Sequence, residues 1–183
     1  MLLQEASSRT ADGVPYQVFA TDIDERAISF ARLGLYPESI LADVEPTRAR
    51  QFLTKDAAHY RVKKELREHV LFALHNLLRD PPFSRLDMIC CRNLLIYFGS
   101  EAQNQVIPIF HYALRPKGYL FLGTSENISG FGDLFAPLEK KHRIFRRRGD
   151  ATQAVRLPMA LAALRPGHVG ETAMRRTVGN GIA

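Results

Sequence analysis

The sequence has few of the features that mark secreted, membrane-spanning or metal-binding proteins. Its two cysteines, Cys90 and Cys91, are adjacent, and neighbours in an extended strand point to opposite faces, so a disulfide between them is not expected. No stretch approaches the roughly 20 apolar residues of a membrane span, and the N-terminus lacks the basic and apolar regions of a signal peptide. The six histidines are scattered, with no CxxC or HExxH pattern, so no metal site is predicted. A cytoplasmic location is therefore expected.

Composition favours a globular domain without a nucleic-acid partner. Of 183 residues, 46% are hydrophobic and 24% are charged, which fits one domain of ordinary size with some additional chain. The formal net charge of +6 comes largely from late basic residues, beginning with the run KKHRIFRRR at 140–148. No aromatic residues alternate with the arginines that follow this run, as a single-strand binder would need. A solvated basic edge and tail is the preferred interpretation.

Strand patterns alternate with helix patterns along the chain, which predicts an α/β fold with a parallel sheet. Core strands are predicted at 16–21, 69–74, 86–91 and 119–123, and an exposed or edge strand at 142–147. Helices are predicted from Asp24 to near Gly34, at 46–53 and at 100–114. Turns are predicted at 79–85 and 115–118, and a helical or irregular connection at 131–138, whereas 59–66 is compatible with either strand or helix.

Two of these elements carry more detailed predictions. The strand at 86–91 is apolar on both faces, as expected of a central parallel strand. In the helix at 100–114, Ser100 and Gln103 have the spacing of a capping box. Pro108 predicts a kink or a break near Asn104.

Polar residues follow three predicted strands at the points where those strands end. Asp22 follows the first, Asn76 the second, and Arg92 with Asn93 the third. Ligands of open α/β sheets bind at the carboxyl ends of strands, where a carboxylate can accept hydrogen bonds from ribose hydroxyls. Tyr97 lies four residues after Asn93, and one helical turn would place both on one side.

Each of these residues also has an interpretation without function. Asp22 could serve only the start of the next helix, and Asn76 could be an ordinary turn residue. Tyr97 could be a core aromatic with its hydroxyl in water. Arg92 and Asn93 are the hardest to explain this way, because within a core they would cost several kcal/mol unless paired.

Three stretches resemble the C-terminal catalytic domain of the chemotaxis receptor methyltransferase family, CheR. They are VFATDIDERAISFARLGLYPESI, VLFALHNLLRDPPFSRLDMICCRNLLIYF and LRPKGYLFLGTSENI, and the likeness extends from about residue 16 to 148. The resemblance implies a Rossmann-like class I methyltransferase sheet. It also implies S-adenosylmethionine as cofactor and methylation of glutamates on helices of chemoreceptors or related signalling proteins.

The resemblance implies roles at matching positions only. Asp22 matches the acid that holds the cofactor ribose, and Asn76 with Leu77 matches the pair beside the adenine. Arg92 and Asn93 match the pair that lines the cofactor pocket. Tyr97 matches a tyrosine near the transferred methyl group and is the candidate catalytic residue.

The sequence departs from the family pattern before residue 16. The family's glycine-rich loop, first strand and helical N-terminal domain are not found there, and MLLQEASSRTADG resembles the helix and turn that follow the loop. A fragment is therefore expected: residues 1–149 as a partial catalytic domain whose sheet lacks the first strand and glycine-rich loop, and 150–183 as a linker or disordered tail. The stretches DPPFSRLD and KKHRIFRRR are most similar to hybrid proteins that fuse methylesterase, methyltransferase and sensory modules, so other modules are further expected partners.

The sequence also bears on two other functions. The missing loop allows a non-catalytic binding or regulatory fragment of a hybrid chemotaxis signalling protein. A small-molecule or nucleic-acid methyltransferase is disfavoured, because DPPF at 80–83 resembles the amino-methylating tetrapeptide but precedes the strand at 86–91 instead of following the fourth strand.

Overall fold

The computed structural model describes residues 1–11 and 13–149, so the predicted tail at 150–183 lies outside the described residues. These residues fall into two compact units, Met1–Asp80 and a second that begins at Pro81. Helices and strands alternate in both, and each unit contains one parallel strand pair, which confirms the predicted α/β class. Within the described residues, no helix is long and apolar enough to cross a membrane.

The first unit is built on a parallel pair of strands joined through a helix. Strand β1 (Val18–Asp22) pairs with β5 (Val70–Leu74), and helix α2 (Glu25–Leu33) follows β1. The Asp24 side chain caps α2 by accepting from the Arg26 amide at 2.8 Å. Gly34 ends the helix in the left-handed region at φ +60°, where a side chain would be strained. Both helix boundaries were predicted from the sequence.

A small antiparallel sheet lies between these two strands in the sequence. Its order is β2 (Leu35–Pro37), β4 (His59–Val62), β3 (Leu53–Asp56). The segment at 59–66 proves to contain both a strand and a helix, because β4 is followed by α5 (Lys64–Arg67). The other helices of the unit are α1 (Leu2–Ser7), α3 (Ile40–Asp43) and α4 (Pro46–Phe52). Helix α4 confirms the prediction at 46–53 to within one residue.

The second unit is a four-stranded mixed sheet with one long helix. Its strands are β6 (Leu86–Cys91), β7 (Leu114–Leu122), β8 (Phe135–Glu139) and β9 (Ile144–Arg147), in the order β6-β7-β9-β8. Strands β6 and β7 are parallel, and the other pairs are antiparallel. Helix α6 (Ser100–Ala113) contributes Val106, Ile107 and Phe110 to the core, and β7 contributes Leu120 and Leu122.

Three strand predictions in this unit were wrong. Strand β6 was expected to be central, but among the described strands it pairs only with β7, and of its residues only Cys91 is buried. The connection expected at 131–138 contains β8, whose Pro137 is tolerated because β8 is an edge strand and needs fewer N–H donors. The strand at 142–147 was expected to be exposed or at an edge, but β9 lies between β7 and β8 and its Phe145 is buried.

The predictions for the ends and interior of α6 also need correction. Gly99 is the N-cap, and the Ser100 side chain makes no capping bond, so the capping box is absent. The helix continues through Pro108, which has no N–H to donate to the carbonyl of Asn104. Asn104 is exposed, so water can bind that carbonyl instead. The turn expected at 115–118 is part of β7, where the register against β6 shifts and Lys117 has φ +67°.

Candidate functional site

The carboxyl ends of β1 and β5 bring three of the predicted site residues to one edge. The strands are parallel with Asp22 opposite Leu74, and the His75 amide donates to the Asp22 carbonyl at 2.9 Å. Asn76 and Leu77 follow immediately. The structure therefore places Asp22, Asn76 and Leu77 at the edge where ligands of parallel α/β sheets bind.

Asp22 is exposed and has one carboxylate oxygen engaged. Its Oδ1 accepts from the Asp24 amide at 2.9 Å, whereas the helix cap itself is Asp24. No donor among the described residues is recorded for Oδ2. Asp22 thus orders the turn after β1 and retains an oxygen that can accept a hydrogen bond from a ligand hydroxyl.

Asn76 organises a turn as well as ending the strand connection. Its Oδ1 accepts from the Leu78 backbone amide at 3.0 Å, and the Asn76 backbone amide donates to Asp80 Oδ2 at 2.6 Å. The turn interpretation of Asn76 is therefore right. The side-chain Nδ2 of Asn76 is the group that can donate a hydrogen bond to a ligand.

Arg92 and Asn93 directly follow β6 in the second unit. The Arg92 guanidinium carbon lies 4.9 Å from the centroid of the Phe121 ring, a cation–π distance. Asn93 adopts a left-handed conformation with φ +61°. A side chain on Gly123 would place its Cβ 2.9 Å from Asn93 Oδ1, so the glycine is required by close approach. The chain turns away from the sheet at these two polar residues, as the sequence predicted.

Tyr97 lies in a 3₁₀ helix, Leu95–Tyr97, and is 79% exposed. The core interpretation of this tyrosine is therefore wrong. The expected helical turn shared with Asn93 is also absent, because Asn93 is left-handed and precedes the helix. Leu95, at 2% exposure, is the member of this helix that enters the core.

One buried acid was missed as a site residue. Glu126 is 2% exposed, and its Oε1 accepts from the amides of Leu94 at 2.9 Å and Leu95 at 2.7 Å. Its Oε2 accepts from the Gly123 amide. The signal was present in the stretch GTSEN, where an acid follows a buried strand, but the sequence does not show which amides it binds.

Both cysteine thiols have pKa values above the ordinary one. Burial raises the pKa of Cys91 to about 12, with a further contribution from the Glu126 carboxylate. Cys90 is exposed, but partial desolvation of its thiol also raises its pKa. A raised pKa disfavours the thiolate form that a nucleophile needs. Among the described residues there is also no group of three His, Cys, Asp or Glu side chains arranged to hold a metal ion.

Comparison with known proteins identifies the family. Residues 1–144 match the family model described as CheR methyltransferase, SAM binding domain. The chain belongs to the CheR methyltransferase family. The resemblance noted from the sequence motifs is thereby confirmed, and S-adenosylmethionine is the cofactor of this CheR domain.

Several relatives are similar in sequence to this chain. An uncharacterised 104.1 kDa protein of Rhodobacter capsulatus is 42% identical over 146 residues, covering 80% of this chain and 15% of that protein. The chemotaxis protein methyltransferase of Escherichia coli is 36% identical over 123 residues, covering 62% of this chain and 42% of that protein. Chemotaxis protein methyltransferase 1 of Pseudomonas aeruginosa is 35% identical, covering 64% and 44%. The CheR chain thus spans less than half the length of each of these relatives.

A solved structure of a SAM-dependent methyltransferase from Methanosarcina mazei aligns at 16% identity, covering 79% of this chain and 65% of that one, with a TM-score of 0.37. That score is too low to bear on the fold. The residues of the CheR chain themselves fit the cofactor's chemistry. In the first unit, Asp22 offers an acceptor for a hydroxyl and Asn76 offers a donor for a heteroaromatic edge.

Proposed function

We propose that this chain acts in S-adenosylmethionine-dependent methyl transfer to glutamate carboxylates of chemoreceptor-type proteins. The observation that carries the proposal is the CheR family match over residues 1–144. Relatives named chemotaxis protein methyltransferase support the same direction. The proposed protein partners are the glutamate-bearing helices of chemoreceptors or related signalling proteins, with other modules of a hybrid protein as further partners.

Cofactor contacts are proposed for the edge formed by β1 and β5. Asp22 Oδ2 would accept from ribose hydroxyls, and Asn76 Nδ2 would donate to the adenine edge, with Leu77 beside the ring. The support is the position of all three at the carboxyl ends of paired parallel strands. Residues 1–149 are the proposed catalytic-domain portion of the chain.

Further contacts are proposed within the second unit. Arg92 and Asn93, at the carboxyl end of β6, would line the cofactor pocket, and Tyr97 would lie near the methyl group as the catalytic residue. The support is the exposure of these side chains on a segment that is otherwise anchored through buried Leu95. A tyrosine at 79% exposure is available to a reactant, whereas a core tyrosine would not be.

The chemistry requires little proton transfer. When bound, S-adenosylmethionine supplies a methyl group on a positively charged sulfur, which is a good electrophile for a carboxylate oxygen. A glutamate side chain is ionised at neutral pH, with a pKa of about 4.3, so no general base is needed to remove a proton. The protein's task is to hold the reactants in line and exclude water. Tyr97 can line the methyl path, and the polar residues at the strand ends can fix the cofactor.

The test is transfer of a labelled methyl group. The chain is incubated with methyl-labelled S-adenosylmethionine and a chemoreceptor cytoplasmic fragment, and label released from the receptor as methanol by mild base is counted, because glutamate methyl esters are base-labile. The proposal predicts base-labile label that depends on the chain and falls with Tyr97→Phe. Binding of S-adenosylmethionine without any transfer would contradict catalysis by this chain and favour a binding or regulatory module.

A further inference from the structure

A buried carboxylate underlies the segment that carries Asn93 and Tyr97. Glu126 accepts hydrogen bonds from three backbone amides, those of Leu94, Leu95 and Gly123. Burying a carboxylate is costly unless its oxygens are satisfied, and three charge-assisted bonds offset that cost. Glu126 thereby joins two stretches of chain, the start of the 3₁₀ helix and the turn after β7.

Close packing makes these stretches a single cluster. A Cβ on Gly123 would meet Glu126 Oε2 at 2.8 Å and the Asn93 amide nitrogen at 3.1 Å. Asn93 itself has φ +61°, a left-handed conformation that asparagine adopts more readily than most residues. Glu126 binds the two amides that follow Asn93, so it fixes the backbone on the carboxyl side of this turn.

The other end of the segment has a second anchor. Gln103 of helix α6 donates through Nε2 to the carbonyls of Leu95 at 3.0 Å and Phe98 at 2.9 Å. Glu126 therefore accepts from backbone amides near the start of the segment, and Gln103 donates to backbone carbonyls further along it. Exposed Tyr97 lies between these anchors.

We propose that Glu126 is a positioning residue for this site. Its carboxylate holds residues 92–98 in the conformation that presents Asn93 and Tyr97 for cofactor and methyl transfer. At 2% exposure Glu126 touches no reactant and acts through the amides of Leu94, Leu95 and Gly123. The inference rests on the proposed function for the roles of Asn93 and Tyr97.

Glu126→Gln removes the charge while keeping the size of the side chain. The glutamine Oε1 can still accept from Leu94 and Leu95, but its Nε2 would face the Gly123 amide, donor against donor. Hydrogen bonds to charged groups are stronger than those between neutral groups. Losing the bond from the Gly123 amide is therefore expected to weaken S-adenosylmethionine binding about tenfold. The matched control is Glu101→Gln, the same chemical change at an exposed position in the first turn of α6.

Two readouts on the full chain test the proposal. Amide hydrogen exchange by NMR should become about tenfold faster at Leu94, Leu95 and Gly123 in Glu126→Gln, and calorimetry should show S-adenosylmethionine binding about tenfold more weakly. Glu101→Gln should leave both unchanged. A lower urea midpoint with unchanged affinity of the folded protein would overturn the proposal, because it would mean that Glu126 has only a structural role.

A second variant covers the case in which Glu126→Gln does not fold. Gln103→Leu removes the anchor at the other end and is expected to lower the affinity severalfold; unchanged affinity would then overturn the proposal. If the wild-type chain does not bind S-adenosylmethionine at all, the proposed function is contradicted. Amide exchange in Glu126→Gln then decides the positioning role alone, and retained protection at Leu94 and Leu95 would overturn it.

Discussion

At the scale of single residues, Asp22 uses its two carboxylate oxygens differently. Oδ1 orders the turn that leads into α2 by accepting from the Asp24 amide, whereas no donor among the described residues is recorded for Oδ2. An asparagine at this position would keep an oxygen for the turn and replace the other acceptor by a donor. The two roles can therefore be separated by one substitution.

Asp22→Asn is expected to weaken S-adenosylmethionine binding about five- to tenfold, because a charge-assisted bond to a ribose hydroxyl is lost. Its folding stability should stay close to that of the wild type, since the side chain is exposed and the turn oxygen remains. Isothermal calorimetry and urea unfolding measure the two effects. Glu25→Gln, an exposed acid in the first turn of α2, is the matched control and should change neither.

His111 is a buried histidine within the second unit. It is 4% exposed, its ring meets Phe135 edge to face, and its Nε2 lies 3.3 Å from the Arg148 carbonyl oxygen. Burial lowers the pKa of His111, and the charge of Arg147 lowers it further, although the bond to Arg148 acts in the opposite direction. The folded chain therefore prefers neutral His111.

Stability should consequently fall as the pH falls through the unfolded-state value of about 6.5, because the unfolded chain then takes up a proton that the folded chain resists. The contribution of neutral His111 to stability is fully present above about pH 6.5. It is lost progressively as the pH falls from that value to the lower pKa of His111 in the folded chain. Urea midpoints at pH 7.5 and 5.5 should differ more for the wild type than for His111→Gln, whose amide can still donate to the Arg148 carbonyl. Equal differences in the two proteins would show that His111 does not titrate on unfolding.

At the scale of elements, β8 shows how a strand can depend on one buried side chain. Phe135 is 2% exposed, whereas Leu138 in the same strand is 57% exposed. The strand pairs only with β9 among the described residues, so side-chain burial contributes much of what holds it. The sequence pattern did not predict this strand because it contains Pro137, and a proline within an apolar run argues against a strand.

Phe135→Ala should therefore destabilise the chain by about 3–5 kcal/mol, the usual cost of truncating a buried phenylalanine. Leu138→Ala, in the same strand, should change stability by less than about 0.5 kcal/mol because its side chain is already in solvent. Urea unfolding of both variants measures the contrast. Similar losses in the two would mean that β8 is not packed through Phe135.

The elements predicted correctly are those set by local chemistry. Helix α2 has its cap at Asp24 and its stop at Gly34, and α4 begins at Pro46, all signals contained within a few residues. The elements predicted wrongly depend on tertiary contacts that a local pattern does not show. Gln103 has the spacing of a capping box but instead binds the carbonyls of Leu95 and Phe98 in the preceding segment, and the position of β9 inside its sheet depends on β8.

At the scale of the whole molecule, the same distinction applies to the candidate site. The sequence predicted polar residues at the carboxyl ends of β1, β5 and β6, because a strand end can be located from its own apolar run. It could not predict the support beneath them. Glu126 lies 32 residues after Leu94 and 31 residues after Leu95, whose amides it binds. Sequence patterns carry no pairing information over such a separation.

The central claim is that this CheR-family chain binds S-adenosylmethionine through residues at the carboxyl ends of its parallel strands. The most direct measurement is an NMR titration of the ¹⁵N-labelled chain with S-adenosylmethionine. The account predicts saturable amide shifts at Asp22, Asn76 and Leu77 in the first unit and at residues 92–97 in the second, with the exposed strand residue Leu138 unaffected. An absence of saturable shifts at these positions at millimolar cofactor, or shifts confined to other parts of the chain, would contradict it.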